Sequence, residues 1–252
     1  MNIGLMTLIT SIQNEQVKKW RKLHRKKYRN QMQCFLVEGF HLIEEAIKSG
    51  FKLDVIIVNE RVEIPKSWKG LPITHVKNEV LLALSQTETP QGVLAVVHMK
   101  ELEKRATGPV LLLDGLQDPG NVGTIIRTAD AIGASKIIIG KGTVDIFNDK
   151  VIRATQGSLF HIQLEQMELE VAISKLKKDG YTIWASALEQ AKELPDVQFS
   201  EKAALIVGNE GAGVDREVLA LADDKVKIPI NGEAESLNVS IATGILLYEM
   251  MK

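Results

Sequence analysis

Residues 110–129 read VLLLDGLQDPGNVGTIIRTA, in which four apolar residues lead into a polar, glycine-rich loop and then into a helical pattern. A continuous apolar run of this kind is typical of a parallel strand that is covered on both faces. The helical pattern carries Asn121 and, six residues later, Arg127. Six residues are nearly two helical turns, so with Asn121 near the start of the helix both side chains can address one site. The stretch therefore predicts an α/β fold with polar groups placed directly after a buried strand.

Similar apolar runs, separated by helical segments, recur at residues 137–139, 181–185 and 204–207. Helical patterns are clearest over residues 121–132, 169–178, 215–221 and 236–250. This alternation predicts an open, mostly parallel sheet for the second half of the chain. Ligands of such sheets bind in loops at the carboxyl ends of the strands, so we expect the functional site there.

Three loops that follow strands are dense in Gly, Asn, Glu and Ser, at residues 114–123, 208–213 and 229–238. The glycines of the second loop let a ligand approach the backbone closely. The third loop opens the last helix, whose free N–H groups can hold the polar edge of a ligand. For any one loop a tight structural turn is an equally good interpretation, but three such loops on one sheet favour a binding site.

The first half of the chain has a different composition from the second. Residues 1–107 contain 17 Lys and Arg against 11 Asp and Glu, whereas residues 108–252 contain 14 against 21. With 252 residues, of which 45% are hydrophobic, the chain can bury two cores. We therefore expect two domains, with an α/β module at residues 1–100, a charged linker at 101–107 and a second domain at 108–252.

A basic segment at residues 18–29 has eight Lys or Arg in twelve positions and predicts contact with a polyanion. We expect one basic helix over residues 12–29, with RNA contacts from Lys18, Lys22, Arg25 and Arg29. Trp20, His24 and Tyr28 follow at four-residue spacing, so on one helix they share a face. They could stack on unpaired bases or dock the helix on its own domain.

The sequence lacks several common signatures. Neither the dinucleotide nor the P-loop glycine pattern occurs, the histidines do not pair at metal-ligand spacing, and no nucleophile elbow is present. The single cysteine, Cys34, fits a reducing compartment. No apolar run approaches the roughly 18 residues of a membrane span, and the start lacks an export pattern. We expect a soluble, cytoplasmic protein without a metal.

At this point the motifs match a known family. Residues 121–129 (NVGTIIRTA), 205–211 (LIVGNEG) and 228–240 (IPINGEAESLNVS) occur in order, and the second half closely resembles the SpoU (TrmH-like) branch of the SPOUT RNA 2′-O-methyltransferases. The segment 153–158 (RATQGS) also resembles that family. Residues 35–39 (FLVEG) and 89–93 (TPQGV) are similar to the substrate-binding domain of these enzymes, which is related to ribosomal protein L30e.

The resemblance implies a SPOUT-type sheet with a C-terminal trefoil knot, a smaller L30e-like domain, a homodimer, and S-adenosylmethionine held by the knot loops. General topology rules disfavour knots, so that expectation rests on the resemblance alone. The catalytic set that the resemblance implies is Arg127, Asn121, Glu210, Ser236 and Asn238. For the cofactor it points to Val207, Gly208, Asn209, Ile228, Ile230, Leu237 and Asn238. The apolar members of that set could also be plain core.

The implied reaction is methyl transfer from S-adenosylmethionine to a ribose 2′-hydroxyl of structured RNA, with ribosomal RNA as the expected substrate and transfer RNA as the alternative. A non-catalytic RNA-binding or ribosome-assembly factor of the same fold is the competing hypothesis. The resemblance implies that Arg127 acts on the 2′-hydroxyl. Because arginine stays protonated in proteins, it could instead clamp phosphate and hydroxyl in line. Whether Arg127 serves its own subunit or its partner stays open.

Overall fold

The computed structural model describes residues 8–102 and 107–252, which form two compact units. Of the described residues, the first unit comprises 8–100 and 147–160, and the second comprises 101–102, 107–146 and 161–252. The predicted linker at 101–107 lies partly outside the described residues and stays a prediction. Within the described residues, none of the helices combines the length and the apolar character needed to cross a membrane.

The first unit contains a four-stranded sheet in the order β1-β4-β2-β3. The strands are β1 (Cys34–Glu38), β2 (Leu53–Asn59), β3 (Ile73–Val76) and β4 (Val93–His98). β4 pairs antiparallel with β1 and β2, whereas β2 and β3 are parallel. The unit's helices are α1 (Glu15–Lys22), α2 (Lys26–Met32), α3 (Phe40–Lys48), α4 (Asn78–Leu84) and α6 (Asp149–Thr155), with 3₁₀ turns at Lys66–Trp68 and Ser158–Phe160.

The predicted single helix over residues 12–29 is wrong, because the chain turns between α1 and α2. α1 begins after Asn14, whose side chain accepts the backbone N–H of Gln16. Trp20 and Leu23 are buried in one hydrophobic cluster of the first unit. Trp20 therefore docks α1 on its own unit, and the alternative of base stacking fails for this residue. Tyr28 lies on α2, so it no longer shares a helical face with Trp20.

Residues 147–160 belong to the first unit, although we expected them in a continuous second domain. Aromatic packing accounts for the difference. The ring centroid of Phe35 lies 4.7 Å from that of Phe147 and 6.3 Å from that of Phe160. Phe51 meets Phe160 edge to face, with 4.9 Å between the centroids. The resemblance motif at 153–158 thus lies in the first unit, where it covers the end of α6 and the turn that follows it.

The second unit is built on a seven-stranded sheet in the order β7-β6-β5-β10-β8-β11-β9, in which every neighbouring pair is parallel. The strands are β5 (Val110–Leu113), β6 (Lys136–Ile139), β7 (Gln163–Gln166), β8 (Thr182–Ser186), β9 (Lys192–Glu193), β10 (Ala203–Val207) and β11 (Asp224–Lys227). Its helices are α5 (Pro119–Ile132), α7 (Leu169–Lys178), α8 (Arg216–Leu219) and α9 (Val239–Met250), with a 3₁₀ turn at Leu194–Asp196.

The expected parallel sheet is confirmed, and its central strands are fully buried. Every residue of β5 and of β10 is buried, as the apolar runs predicted. β10 lies between β5 and β8, and β11 follows β8. Because parallel strands end at the same edge, the loops after these four strands are neighbours. We name them the β5 loop (114–118), the β8 loop (187–191), the β10 loop (208–215) and the β11 loop (228–238).

Candidate functional site

Two of the loops are joined by the amide side chain of Asn121, at the start of α5. Asn121 donates through Nδ2 to Oε1 of Glu210 over 3.2 Å, which connects α5 to the β10 loop. Its Oδ1 accepts a hydrogen bond of 3.0 Å from Nδ2 of Asn238, which connects α5 to the β11 loop. Asp118 fixes the start of the helix, because its Oδ1 accepts the N–H of Asn121 at 2.7 Å. The structure thus brings Asn121, Glu210 and Asn238 together.

Glu210 is the acceptor that ties the β10 loop to the β5 loop. Its carboxylate accepts the backbone N–H groups of Gln117 and Asp118 over 3.3 and 3.2 Å. Partial burial opposes ionisation, but hydrogen bonds from its own backbone N–H, from Asn121 and from those two N–H groups outweigh it. The pKa of Glu210 is therefore lowered, and the group is a carboxylate at neutral pH. The same hydrogen bonds hold the β10 loop against the β5 loop and the start of α5.

Arg127 and Ser236 lie outside this hydrogen-bonded set. Arg127 is exposed on α5 and, within the described residues, forms neither a hydrogen bond nor an ion pair. Ser236 is exposed in the β11 loop. The guanidinium of Arg127 therefore has all five donors available for a ligand with acceptor oxygens. A phosphate or a ribose hydroxyl has such oxygens.

A cleft of about 840 Å³ opens beside the β8, β10 and β11 loops. This volume lies within the range of small-molecule sites. Six of the seven residues expected to hold the cofactor line it: Gly208, Asn209, Ile228, Ile230, Leu237 and Asn238. Val207 does not, because it is buried in β10 and its carbonyl accepts the N–H of Asp114 at 2.9 Å. Neither Asn121 nor Arg127 is among the lining residues.

Sequence reasoning missed one wall of the cleft. Residues 186–190, at the end of β8 and in the β8 loop, line it, as do Ala242 and Leu246 of α9. The signal for residues 186–190 was present, because they follow an apolar run that was read as a strand. The strand-end rule applies to that loop as it does to the others. The loop was passed over because it lacks the density of Gly and Asn found in its neighbours.

Two predicted cofactor residues have internal partners. A Cβ at Gly208 would lie 2.1 Å from backbone atoms of Gly213 and Val214, so it is the loop itself that approaches this glycine. Asn209 Nδ2 donates to the carbonyl of Gly115 over 2.9 Å, and its Oδ1 accepts the N–H groups of Gly211 and Ala212. Both residues shape the β10 loop. Gly208 and Asn209 line the cleft because they shape this loop.

The chemistry of the cleft suits a ligand with both apolar and charged parts. Its walls combine apolar side chains such as Leu188 and Ile230 with the carboxylates of Glu189 and Glu235. Within the described residues, the backbone groups of Ile228 and Ile230 take part in no hydrogen bond, so they can serve a ligand. The described residues contain no group of His, Cys, Asp and Glu that could hold a metal.

The basic segment of the first unit splits into exposed and buried cations. Arg25 is exposed, Lys18 is half-exposed beside Glu15 at 2.8 Å, and Lys22 lies over the ring of Tyr28 at 5.6 Å. Arg29 is only 6% exposed, and its Nη1 donates to the carbonyl of Leu23 over 2.8 Å. The expected RNA contact by Arg29 is therefore corrected, because its guanidinium holds the turn between α1 and α2.

Comparison with known proteins gives two family matches. A model described as the SpoU rRNA Methylase family matches residues 108–248, and one described as the MRM3-like substrate binding domain matches residues 14–95. A relative from Bacillus subtilis (strain 168), named 23S rRNA (guanosine(2553)-2'-O)-methyltransferase RlmP, is 44% identical over 247 residues. The match covers 97% of this chain and 99% of that protein.

Two solved structures share the fold over nearly the whole chain. The AdoMet-bound rRNA methyltransferase from Sinorhizobium meliloti has a TM-score of 0.86 and 32% identity, and the match covers 98% of each chain. The SpoU methyltransferase AviRb from Streptomyces viridochromogenes, in complex with AdoMet, has a TM-score of 0.84 and 27% identity, covering 95% of this chain and 97% of that one.

Proposed function

The chain belongs to the SpoU rRNA methylase family, and on that premise we propose that it transfers a methyl group from S-adenosylmethionine to a ribose 2′-hydroxyl of ribosomal RNA. One observation of the structure carries the proposal. Asn121, Glu210 and Asn238 join the β10 and β11 loops, which line a cleft of cofactor size, while Arg127 on α5 keeps its donors free. A pure RNA-binding protein would need neither this set nor the cleft.

The roles of the residues follow from their donors and acceptors. When bound, S-adenosylmethionine supplies an electrophilic methyl group. The backbone of Ile228 and Ile230 and the apolar side chain of Leu237 bind the cofactor. Arg127 donates hydrogen bonds to the 2′-hydroxyl oxygen and to a neighbouring RNA phosphate, which orients the acceptor. Because a guanidinium has no site for a further proton, the hydroxyl proton goes to the phosphate oxygen or to solvent.

For the substrate we propose 23S ribosomal RNA, since the relative with 44% identity over nearly the whole chain is named for that RNA. The first unit supports an RNA substrate, because exposed cations are concentrated on α1, on α2 and in the turn between them. Phosphate contacts of this kind set affinity and orientation, and the site in the second unit then selects the ribose. We also propose a cytoplasmic location, in keeping with this substrate.

We also propose a homodimer and a trefoil knot, both on family membership. A surface of α9 supports the dimer. Ile241, Ile245 and Tyr248 are 55%, 36% and 61% exposed, and their spacing puts them on one side of the helix. Together with Met251, which is 47% exposed, they offer apolar side chains that a second copy of the chain would cover. The knot is proposed for the three loops around the cleft.

Transfer of tritium from labelled S-adenosylmethionine to ribosomal RNA from a deletion strain tests the function. We expect incorporation with the wild-type protein and a fall of about 100-fold or more with Arg127→Ala, because orientation of the hydroxyl is lost. Arg216→Ala is the matched control, since Arg216 is an exposed arginine of the same unit outside the cleft. Absence of wild-type incorporation, with cofactor bound, would contradict the proposal and favour a non-catalytic factor.

A further inference from the structure

The β10 loop is fastened at both ends to consecutive residues that follow β5. At its start, Asn209 Nδ2 donates to the carbonyl of Gly115 over 2.9 Å. At its end, the backbone N–H of Asp215 donates to Oδ2 of Asp114 over 2.7 Å. The position of the loop is therefore determined by the end of β5 as well as by the loop's own hydrogen bonds.

Between these two attachments the loop is closed tightly. Asn209 and Gly213 exchange two backbone hydrogen bonds of 2.9 Å. The backbone at Gly213 and Val214 lies so close to Gly208 that a Cβ there would stand 2.1 Å away. Val214 is buried, and all of residues 208–214 line the cleft. A displacement of Asp215 would therefore also displace residues 208–214, which line the cleft.

Asp114 has no role of its own in the cleft. It is absent from the lining residues, and within the described part of the chain no basic side chain pairs with it. Burial raises the pKa of its carboxyl group, the N–H of Asp215 acts in the opposite direction, and the negative charges of Asp215 and Glu170 raise it further. The carboxylate of Asp114 is partly buried and accepts the backbone N–H of Asp215. Its effect on the cleft is therefore through the position of Asp215.

We propose that Asp114 is a positioning residue for cofactor binding. By accepting the N–H of Asp215 it fixes the end of the β10 loop, and through Val214 and Gly208 it keeps the cleft in the shape that the cofactor needs. The inference rests on the proposed function, because it takes S-adenosylmethionine as the occupant of this cleft. No part of the methyl transfer itself is assigned to Asp114.

Calorimetric titration of the full-length protein with S-adenosylmethionine is the first test. We expect Asp114→Ala to weaken binding about tenfold, because the N–H of Asp215 loses its acceptor and the end of the β10 loop is no longer held. Asp114→Asn should bind within about twofold of the wild type, since an amide oxygen accepts the same hydrogen bond. Turnover at saturating cofactor should change far less than the KM for the cofactor. Equal affinity for Asp114→Ala and the wild type would overturn the inference, as would equal loss in both variants.

The donor side gives an independent pair of variants. Asp215→Pro removes the N–H, and its φ of −54° and extended ψ suit proline. Asp215→Ala is the matched control, because it removes only the carboxylate that caps α8. We expect Asp215→Pro, but not Asp215→Ala, to weaken cofactor binding. Adding Asp114→Ala to Asp215→Pro should cause little further loss of affinity. Full additivity of the two changes would contradict a shared hydrogen bond.

A second control separates positioning from general stability. Asp223 also accepts a backbone N–H, that of Ile183 at 2.9 Å, but it lies outside the cleft lining. Asp223→Ala should lower Tm and leave cofactor affinity unchanged. If it weakens cofactor binding as much as Asp114→Ala does, the effect is one of stability and the inference is wrong. Failure of the wild type to bind S-adenosylmethionine would instead refute the proposed function.

Discussion

Glu210 is a single carboxylate whose ionisation holds two loops together. Above its ordinary pKa of about 4.5 the group is charged in the folded and unfolded chain, and the folded chain gains the hydrogen bonds it accepts. Because its pKa is lowered on folding, this contribution is present at neutral pH and is lost as the pH falls through the lowered value.

We therefore expect Glu210→Gln to lower Tm at neutral pH by roughly 2 °C, since about 1 kcal/mol of hydrogen bonding is weakened at a largely exposed site. The difference from the wild type should shrink as the pH falls through the lowered pKa of Glu210. Thermal unfolding followed by circular dichroism across this range measures it. Glu201→Gln, at an exposed position before β10, is the control and should change little. A difference that stays constant into acid would rule out the charge as its cause.

Residue types in this sequence predicted chemistry better than they predicted accessibility. The polar set that was expected to act together has five members, and the structure joins Asn121, Glu210 and Asn238 by hydrogen bonds. The other two members, Arg127 and Ser236, lie outside that hydrogen-bonded set. Arg29 was expected on the RNA surface because it belongs to a basic run, yet its guanidinium is buried against the carbonyl of Leu23. Arg29 is buried because the chain turns between α1 and α2 and exposes the carbonyl of Leu23 to its guanidinium. The spacing of basic residues in the sequence does not predict this turn.

At the scale of elements, α1 and α2 place exposed cations on a surface of the first unit. We expect that replacing Lys18, Lys22, Arg25 and Lys26 together by Gln weakens RNA binding and reduces the slope of log K against log salt. Each phosphate contact that is lost lowers this slope by about 0.7 to 0.9. Filter binding of ribosomal RNA at several salt concentrations measures it.

Arg29 is left in place in that variant, because its removal would disturb the turn at Leu23. The control replaces Lys175 and Lys178 of α7, two basic side chains of the second unit, and should leave the slope near the wild-type value. Cofactor affinity should be unchanged in both proteins. An unaltered slope in the first variant would show that the RNA contacts lie elsewhere.

Elements were predictable where the local sequence determines them. β5 and β10 are continuous apolar runs, and they were found because a strand buried on both faces needs no alternation. β7 reads QLEQ and β11 reads DKVK, and neither was predicted because most of their residues are only partly buried. Pairing with a neighbouring strand makes them strands. That pairing is a long-range property which a short polar segment does not display.

At the scale of the whole molecule, the proposed dimer raises the question of which subunit supplies Arg127. Arg127 is absent from the residues that line the cleft of its own chain. We therefore propose a shared site, in which Arg127 serves the cofactor cleft of the partner. In a mixed dimer of Arg127→Ala with Leu237→Trp, one site then receives both defects and the other neither, so about half of the wild-type activity should return.

Two different affinity tags allow this mixed dimer to be isolated free of both homodimers. Each homodimer, Arg127→Ala or Leu237→Trp, serves as a control and should be nearly inactive. Gel filtration confirms that all three species are dimers of the same size. If each subunit instead provides a complete site of its own, the mixed dimer is as inactive as its parents. A folded, inactive mixed dimer would therefore assign Arg127 to its own subunit.

The membership of residues 147–160 in the first unit has a consequence for synthesis on the ribosome. Phe147 and Phe160 pack against Phe35, but they are translated long after it. At about 5 to 20 residues per second, roughly 3 to 12 seconds separate the addition of residue 100 from that of residue 160. During this interval the nascent chain carries Phe35 and Phe51 without these aromatic neighbours. The N-terminal unit therefore completes its core only after part of the next unit has been made, a window in which chaperones would find exposed aromatic rings.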